Sequence, residues 1–181
     1  GNCFVTLTYR EKRDCNDKQL EGEYHVPDDW SLHKEHFQKF MKRLRKDFAP
    51  QKVRFFHCGE YGRICKHGID MDRVDCPLCN VGRPHYHAAL FNCSFDDLKS
   101  YRQENGIVRY TSARLERLWK YGFVDVGELN FQSAAYMARY ICKKVTGVKA
   151  PDHYCQYDLD GVVTFVEPEY ITMSRRPGIG K

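Results

Sequence analysis

The sequence contains no run of eighteen apolar residues, so it offers no segment able to cross a bilayer as a helix. It carries no secretory leader. Internal repeats and low-complexity tracts are also missing, which sets repeat architectures aside. An even, regularly spaced cysteine framework is missing too. The nine cysteines are odd in number and unevenly spaced, which argues against a disulfide-stapled secreted fold and for a reducing cytosol. In that setting clustered cysteines more often bind metal. The chain opens Gly1-Asn2 with no methionine, as expected of a trimmed chain.

What is present fits a globular chain of 181 residues, one domain or one domain with an insertion. Its hydrophobic share of 42% is too high for a disordered polymer. The net charge of +5 hints at an acidic partner. Most of that excess sits in SLHKEHFQKFMKRLRKDF (31–48), where Lys34, Lys39, Lys42, Arg43, Arg45 and Lys46 face only Glu35 and Asp47. Such a stripe is either a phosphate-contacting surface or a solvated helix face.

Periodicity predicts a strand over 2–9, with Phe4, Thr6 and Thr8 on one side and Val5, Leu7 and Tyr9 on the other. Segment 10–29 reads as loop. Phe37, Phe40, Met41, Leu44 and Phe48 predict a helix over 31–48, with Ser31 as N-cap and Pro50 as a stop. Strands are predicted over 52–62, 84–91 and 123–129. Helices are predicted over 112–122, ended by Gly122, and over 133–145, capped by Ser133. The tail 161–174 offers one or two strands. This order suits an α+β fold with a central, largely antiparallel sheet flanked by helices.

The stretch GRPHYHAALF (82–91) places His85 and His87 on one face of a strand, about 7 Å apart along it. The preceding strand ends in CGEYG, so an antiparallel pairing brings Glu60 near both. Two imidazoles and a carboxylate can hold a divalent ion with positions left open; they can also be half-buried sheet residues bonded to neighbours. Further on, SAAYMARYICKK puts Tyr136 and Tyr140 on one helical face, with Arg139, Lys143 and Lys144 within a turn. A phenol beside fixed cations is suited to attack phosphorus. The alternative is an amphipathic helix with packed tyrosines and solvated cations.

Segment 63–83 breaks the pattern with CKHGIDMDRVDCPLC. Cys65, His67, Cys76 and Cys79 form C-x-H and C-x2-C halves of a possible structural Zn²⁺ site, with Cys58 as an alternate fourth ligand. Free thiols in a mobile loop are the alternative.

Taken together, FVTLTY, CGEYG…GRPHYHAALF and SAAYMARYICKK resemble the three motifs of HUH endonucleases that initiate rolling-circle replication. The likeness is strongest to replication initiators of small single-stranded DNA phages, the microviruses and their gokushovirus branch, and FMKRLRK and MSRRPGIGK share it. It spans nearly the whole chain, read as one HUH domain over 1–181, and implies an RRM- or ferredoxin-like core. The resemblance implies Mg²⁺ or Mn²⁺ held by His85, His87 and Glu60. It implies attack by Tyr136 or Tyr140, assisted by Lys143, to give a 5′-phosphotyrosine and a free 3′-OH, then cutting and rejoining with the second tyrosine. Arg139 stands where related two-tyrosine enzymes tend to carry lysine. Single-stranded or hairpin origin DNA, the host replication machinery and the cytoplasm of a bacterial host follow as partners and location for a phage-encoded protein. Lys39, Lys42, Arg43, Lys46, Arg139 and Lys144 are candidates for DNA contact, with Arg54 and Arg63 for the backbone and Trp30, Tyr61 or Tyr86 for base stacking. Two other readings fit much of this. One is a non-catalytic, zinc-stabilised nucleic-acid-binding module. The other is a relaxase or transposase of the same chemistry.

Overall fold

Alternating burial defines the first strand, Asn2–Thr8 (β1): Val5 and Leu7 are sealed on one side of it, while Phe4 and Thr6 face the other. The computed structural model describes residues 1–11, 25–104, 106–140, 144–176 and 178–179; the side chains of Glu104 and Tyr140 lie outside that description.

The helix Lys34–Asp47 (α1) buries Phe37, Phe40, Met41 and Leu44 on one stripe and stops before Pro50. Its N-cap is His33, not Ser31. Ser31 is buried instead, and its hydroxyl accepts a bond from the Glu167 amide at 2.8 Å. The hairpin Arg54–Tyr61 (β2) and Pro84–Phe91 (β3) follows, then the strands Lys99–Glu104 (β4) and Ile107–Thr111 (β5). Periodicity predicts neither of the last two. Ser112 caps the helix Ala113–Trp119 (α2) by accepting from the Leu115 amide at 3.0 Å. That helix ends at Lys120, in a left-handed conformation with φ of 71°, and not at Gly122. Gly122 serves a close approach: a Cβ there would lie 2.3 Å from the Arg10 nitrogen.

After Val124–Glu128 (β6) comes the helix Phe131–Tyr140 (α3). It starts two residues earlier than expected. Asn130 caps it, accepting from the Ser133 amide at 3.0 Å, and Ser133 Oγ accepts in return from the Asn130 amide at 2.9 Å. Ser133 is therefore the reciprocal partner and not the cap. The chain ends with a 3₁₀ turn over Gly147–Lys149, a short helix Ala150–His153 (α4), and the strands Cys155–Tyr157 (β7), Val163–Phe165 (β8) and Tyr170–Met173 (β9).

Seven strands form one sheet in the order β4-β5-β6-β1-β3-β2-β9, with every pairing antiparallel; β7 and β8 pair separately. This is the expected α+β fold. Its two faces differ sharply. On one, Val5, Leu7, Tyr9, Tyr86, Ala88 and Leu90 pack against α1 and α2 in the main core. On the other, Phe4, Cys58 and Ala89 receive Met137 of α3. No helix among the described residues is long and apolar enough to cross a membrane.

Candidate active site

Sheet register assembles the site. β2 and β3 pair so that Glu60 lies opposite His85 and Cys58 opposite His87. β1 brings Thr8 and Thr6 to the other side of the same two histidines. Residues two apart on a strand share a face, so Glu60, His85, His87 and Thr6 all lie on the face that α3 covers.

Three donor atoms converge there. His85 Nε2 lies 2.7 Å from Glu60 Oε1, His87 Nε2 lies 3.4 Å from the same oxygen, and the two Nε2 atoms are 3.1 Å apart. The other ring nitrogens are engaged. His85 Nδ1 sits 3.2 Å from the Arg83 carbonyl, which can only accept, so Nδ1 carries the hydrogen. His87 Nδ1 bonds the Thr6 hydroxyl at 2.9 Å. Both neutral rings therefore turn an Nε2 lone pair toward an anionic oxygen. Such atoms repel unless a proton or a metal cation lies among them. Burial pushes His87 down to about 4, which keeps it neutral. Burial alone would raise the Glu60 carboxyl, yet the hydrogen bonds from His85 and His87 hold it at about 2. An ionised carboxylate and two imidazoles fixed through their far nitrogens are a donor set suited to a divalent ion. The residues present fit the metal that the sequence resemblance implies.

Tyr136 stands beside this cluster. Its ring meets the His87 ring edge-on at 5.5 Å between centroids and Phe4 at 6.4 Å, and it is 43% exposed, so solvent or substrate can reach it. The Tyr140 side chain and Lys143 lie outside the described residues. The described part of the helix reaches Tyr140, and Lys144 is exposed coil, so the helix expected to run through Val145 does not include Lys144. Arg139 is exposed on α3.

A cleft of about 330 Å³ opens next to His85, lined by Thr6, Thr8, Gly62, Arg63 and Arg83 among others. Arg63 is thus close to the cluster. Arg83 pairs with Glu11 and lies 5.7 Å over the Trp30 ring. The same face also holds a group that no motif singles out. Arg109 bonds Asp125 at 3.2 Å, and Tyr101 donates to Asp125 at 3.2 Å. Asp125 is the register partner of Thr6 on β6. Burial raises its carboxyl against the pull of Arg109. Only the unpredicted strands β4 and β5 make that neighbourhood visible.

Other candidates fall elsewhere. Lys39, Lys42 and Lys46 are exposed on α1, across the sheet from the histidines. Arg43 on the same helix is used structurally: Nε donates to the Leu118 carbonyl at 2.7 Å and Nη2 to that of Trp119 at 3.1 Å, tying down the end of α2. Tyr86 and Tyr61 are not stacking platforms. Tyr86 is fully buried, with its hydroxyl bonded to the Tyr9 hydroxyl and to the His33 backbone, and Tyr61 donates to the Glu167 carbonyl inside the fold. Cys65, His67, Cys76 and Cys79 do come together, their ligand atoms all within 4.8 Å of one another. Cys58 is not with them; it packs with Phe4, Ala89 and Met137 under α3.

Comparison with known proteins defines the class first. The chain belongs to the family described as replication-associated protein ORF2/gene 2 protein, which it matches over residues 2–69 and 77–145. Among particular relatives, it is 36% identical to replication-associated protein ORF2 of Spiroplasma virus 4 over 152 residues, 82% of this chain and 40% of that protein. It is 30% identical to replication-associated protein VP4 of Bdellovibrio phage phiMH2K over 84% of this chain and 42% of that one. Chlamydia phage 1 has a similar replication-associated protein, ORF4, 34% identical over 118 residues, 61% of this chain and 26% of that protein. The chain thus spans about two fifths of the length of the first two relatives. No solved structure matches it.

Proposed function

We propose that this chain is the strand-cutting part of a phage replication initiator. It nicks single-stranded DNA, single strand or hairpin, at a replication origin through a tyrosine nucleophile, and the host replication machinery extends the free end. This reading rests on one juxtaposition: Glu60, His85 and His87 converge within 3.4 Å, with the Tyr136 ring seated against His87. Family membership supports it.

In this scheme Glu60, His85 and His87 hold Mg²⁺ or Mn²⁺, whose Lewis acidity polarises the scissile phosphate. Thr6 and the Arg83 carbonyl fix the two imidazoles, so the ligand set is preorganised. Arg63, at the rim of the adjoining cleft, offers a cation to a neighbouring phosphate. The phenol oxygen of Tyr136 or Tyr140 bonds to phosphorus as the P–O3′ bond breaks. The phenolic proton passes to solvent, and the departing 3′ oxygen takes a proton in turn. The products are a 5′-phosphotyrosine and a free 3′-OH. No cosubstrate is consumed, because the phosphodiester energy is kept in the covalent link. The second tyrosine then attacks the regenerated origin so that the first strand end can be rejoined as a circle. Lys143 is assigned to assist the phenolate.

The test is a denaturing gel of the chain with labelled single-stranded origin DNA and Mn²⁺. A shifted covalent band is expected in the wild type and its loss in the Tyr136→Phe, Tyr140→Phe double variant. A band that persists in the double variant overturns the mechanism. DNA binding with no cleavage in any divalent metal would instead favour the non-catalytic binding module. Cleavage of transfer-origin or element-end sequences in preference to phage origins would favour a relaxase or transposase.

A further inference from the structure

The connection between β2 and β3 joins the strands that carry Glu60 and His85, and it is poor in apolar residues. Its small cluster consists of buried Cys65, Cys76 and Cys79, with Ile69, Met71 and Leu78 partly buried around them. A loop of that length with so little core needs another source of order. His67 Nδ1 lies 3.5 Å from Cys76 Sγ and 3.4 Å from Cys79 Sγ, and the two sulfurs are 3.5 Å apart. A tetrahedral zinc with Zn–S of about 2.3 Å and Zn–N of about 2.0 Å requires S···S near 3.8 Å and S···N near 3.5 Å. The observed spacings are within a few tenths of an ångström of that. Local backbone conforms as well. Gly68, with φ of 78°, donates to the Cys65 carbonyl at 2.9 Å and closes a tight turn around the first pair of ligands.

We propose that Cys65, His67, Cys76 and Cys79 hold a structural zinc ion that docks this loop on the C-terminal hairpin and so fixes the strand ends bearing Glu60 and His85. The docking contacts cluster around the ligands. The Tyr157 amide on β7 donates to the Leu78 carbonyl at 2.8 Å, and Cys79 forms a β-bridge with Gln156. Lys66, next to the first ligand, pairs with Asp158 at 2.5 Å, and Asn80 donates to the Asp152 carbonyl at 3.1 Å. At the other end of the loop the stem is narrow. Gly62 donates to the Arg83 carbonyl at 2.9 Å, and Arg83 donates to the Ile64 carbonyl at 2.8 Å. A Cβ on Gly82 would fall 1.9 Å from the Gly62 oxygen, so backbone meets backbone there. Order at the zinc is thus transmitted within a few residues to Glu60 and His85. The structural importance of this ion to the active site rests on the assignment of Glu60, His85 and His87 above; the zinc site itself does not.

The experiment measures metal, not nicking. Elemental analysis of freshly purified chain is expected to give one zinc per molecule. Replacement by Co²⁺ should give the visible bands of tetrahedral cobalt together with sulfur-to-cobalt charge transfer, which the sulfur-free Glu60, His85 and His87 set cannot produce. The His85→Ala, His87→Ala variant should keep both signals, Cys76→Ser with Cys79→Ser should lose them, and His67→Cys should retain zinc. Chelation should speed amide exchange at Tyr157 by about tenfold or more, as its partner loop opens. Zinc-free fresh protein with no cobalt–thiolate spectrum overturns the proposal without any cysteine variant having to fold. So does a disulfide within the cluster, found by alkylation without reductant, or zinc that leaves with His85 and His87.

Discussion

At the scale of single residues, the least conspicuous side chain in the site has a definite task. Thr6 holds His87 Nδ1 at 2.9 Å and so decides which nitrogen faces Glu60. Thr6→Val keeps the shape and removes the bond. Metal affinity is expected to fall by about 10- to 100-fold, with nicking recovered at high Mn²⁺. A Mn²⁺ titration that matches the wild type would remove Thr6 from the ligand shell's support. His57 gives a second prediction, away from the metal ligands. Its ring stacks on Phe37 at 3.5 Å between centroids and bonds Thr172 Oγ1 at 2.7 Å, and burial pushes it down to about 3. The unfolded chain takes up this proton near pH 6.5 and the folded chain does not. Stability therefore falls as pH drops from 6.5 toward 3, with a slope of up to about 1.4 kcal/mol per pH unit from this group. His36 and His87, both lowered to about 4 by burial, add to the wild-type slope, so the difference between wild type and His57→Gln isolates His57. Urea midpoints at pH 7 and pH 5 should converge more closely in the variant; an equal drop in both proteins contradicts the assignment. Alternation alone is enough to put His85 and His87 on one face, and antiparallel pairing is enough to add Glu60. Thr6 is not legible, because threonine is ordinary in a strand and its role depends on which residue lies across from it. Tyr61 and Tyr86 fail as stacking residues for a related reason: an aromatic in a strand shows its exposure only once both sheet faces are assigned.

Helix α3 shows how much one contact can carry at the scale of an element. Among its described side chains Met137 is the buried one, seated against Phe4, Cys58 and Ala89. Met137→Ala removes contacts of about 2–5 kcal/mol where a core site cannot collapse. The expected result is covalent-adduct formation slowed by about tenfold or more, with Mn²⁺ affinity unchanged because no ligand sits on α3. An unaltered rate would mean that the helix is positioned by something other than this socket. The same helix explains an error of boundary. Ser133 has the composition of a cap, but Asn130 stands three residues earlier and takes the Ser133 amide, so two plausible caps compete and geometry chooses the earlier one. The hairpin β4–β5 escapes sequence reading because KSYRQE has no apolar alternation: β4 is the edge of the sheet, so neither of its faces needs to be uniformly apolar. Gly106, with φ of 77°, is its available sign. The cysteine loop is legible for the opposite reason, since metal-ligand spacing does not depend on periodicity.

The whole molecule sets charge against architecture. The lysines that dominate the sequence, on α1, lie across the sheet from the candidate active site, and Arg43 among them is committed to the end of α2. Composition can reveal the stripe but not the face. A second basic feature is distributed too widely in sequence to be seen there. Arg45, Lys52, Arg54, Arg175 and Arg176 line one cleft of about 800 Å³, and no carboxylate is among its lining residues. It sits at the sheet edge where the last turn of α1 meets β2 and β9. Arg54 shares the face of Glu60 and lies six residues from it on β2, about 20 Å along the strand. DNA cut at Glu60, His85 and His87 can therefore extend along β2 into this cleft, whereas it must leave the sheet face altogether to meet Lys39 and Lys42. Each phosphate contact on a single strand contributes a salt slope of about −0.7. The Lys52→Ala, Arg176→Ala variant is thus expected to lose about 1.4 from the slope of log affinity against log salt for a long single strand. It should keep its cleavage rate at saturating DNA, and it should bind an oligonucleotide confined to the cut site as the wild type does. Lys39→Ala with Lys42→Ala should change none of the three. If the α1 pair flattens the slope and the cleft pair does not, the strand runs over the helical face, and the route along β2 is wrong.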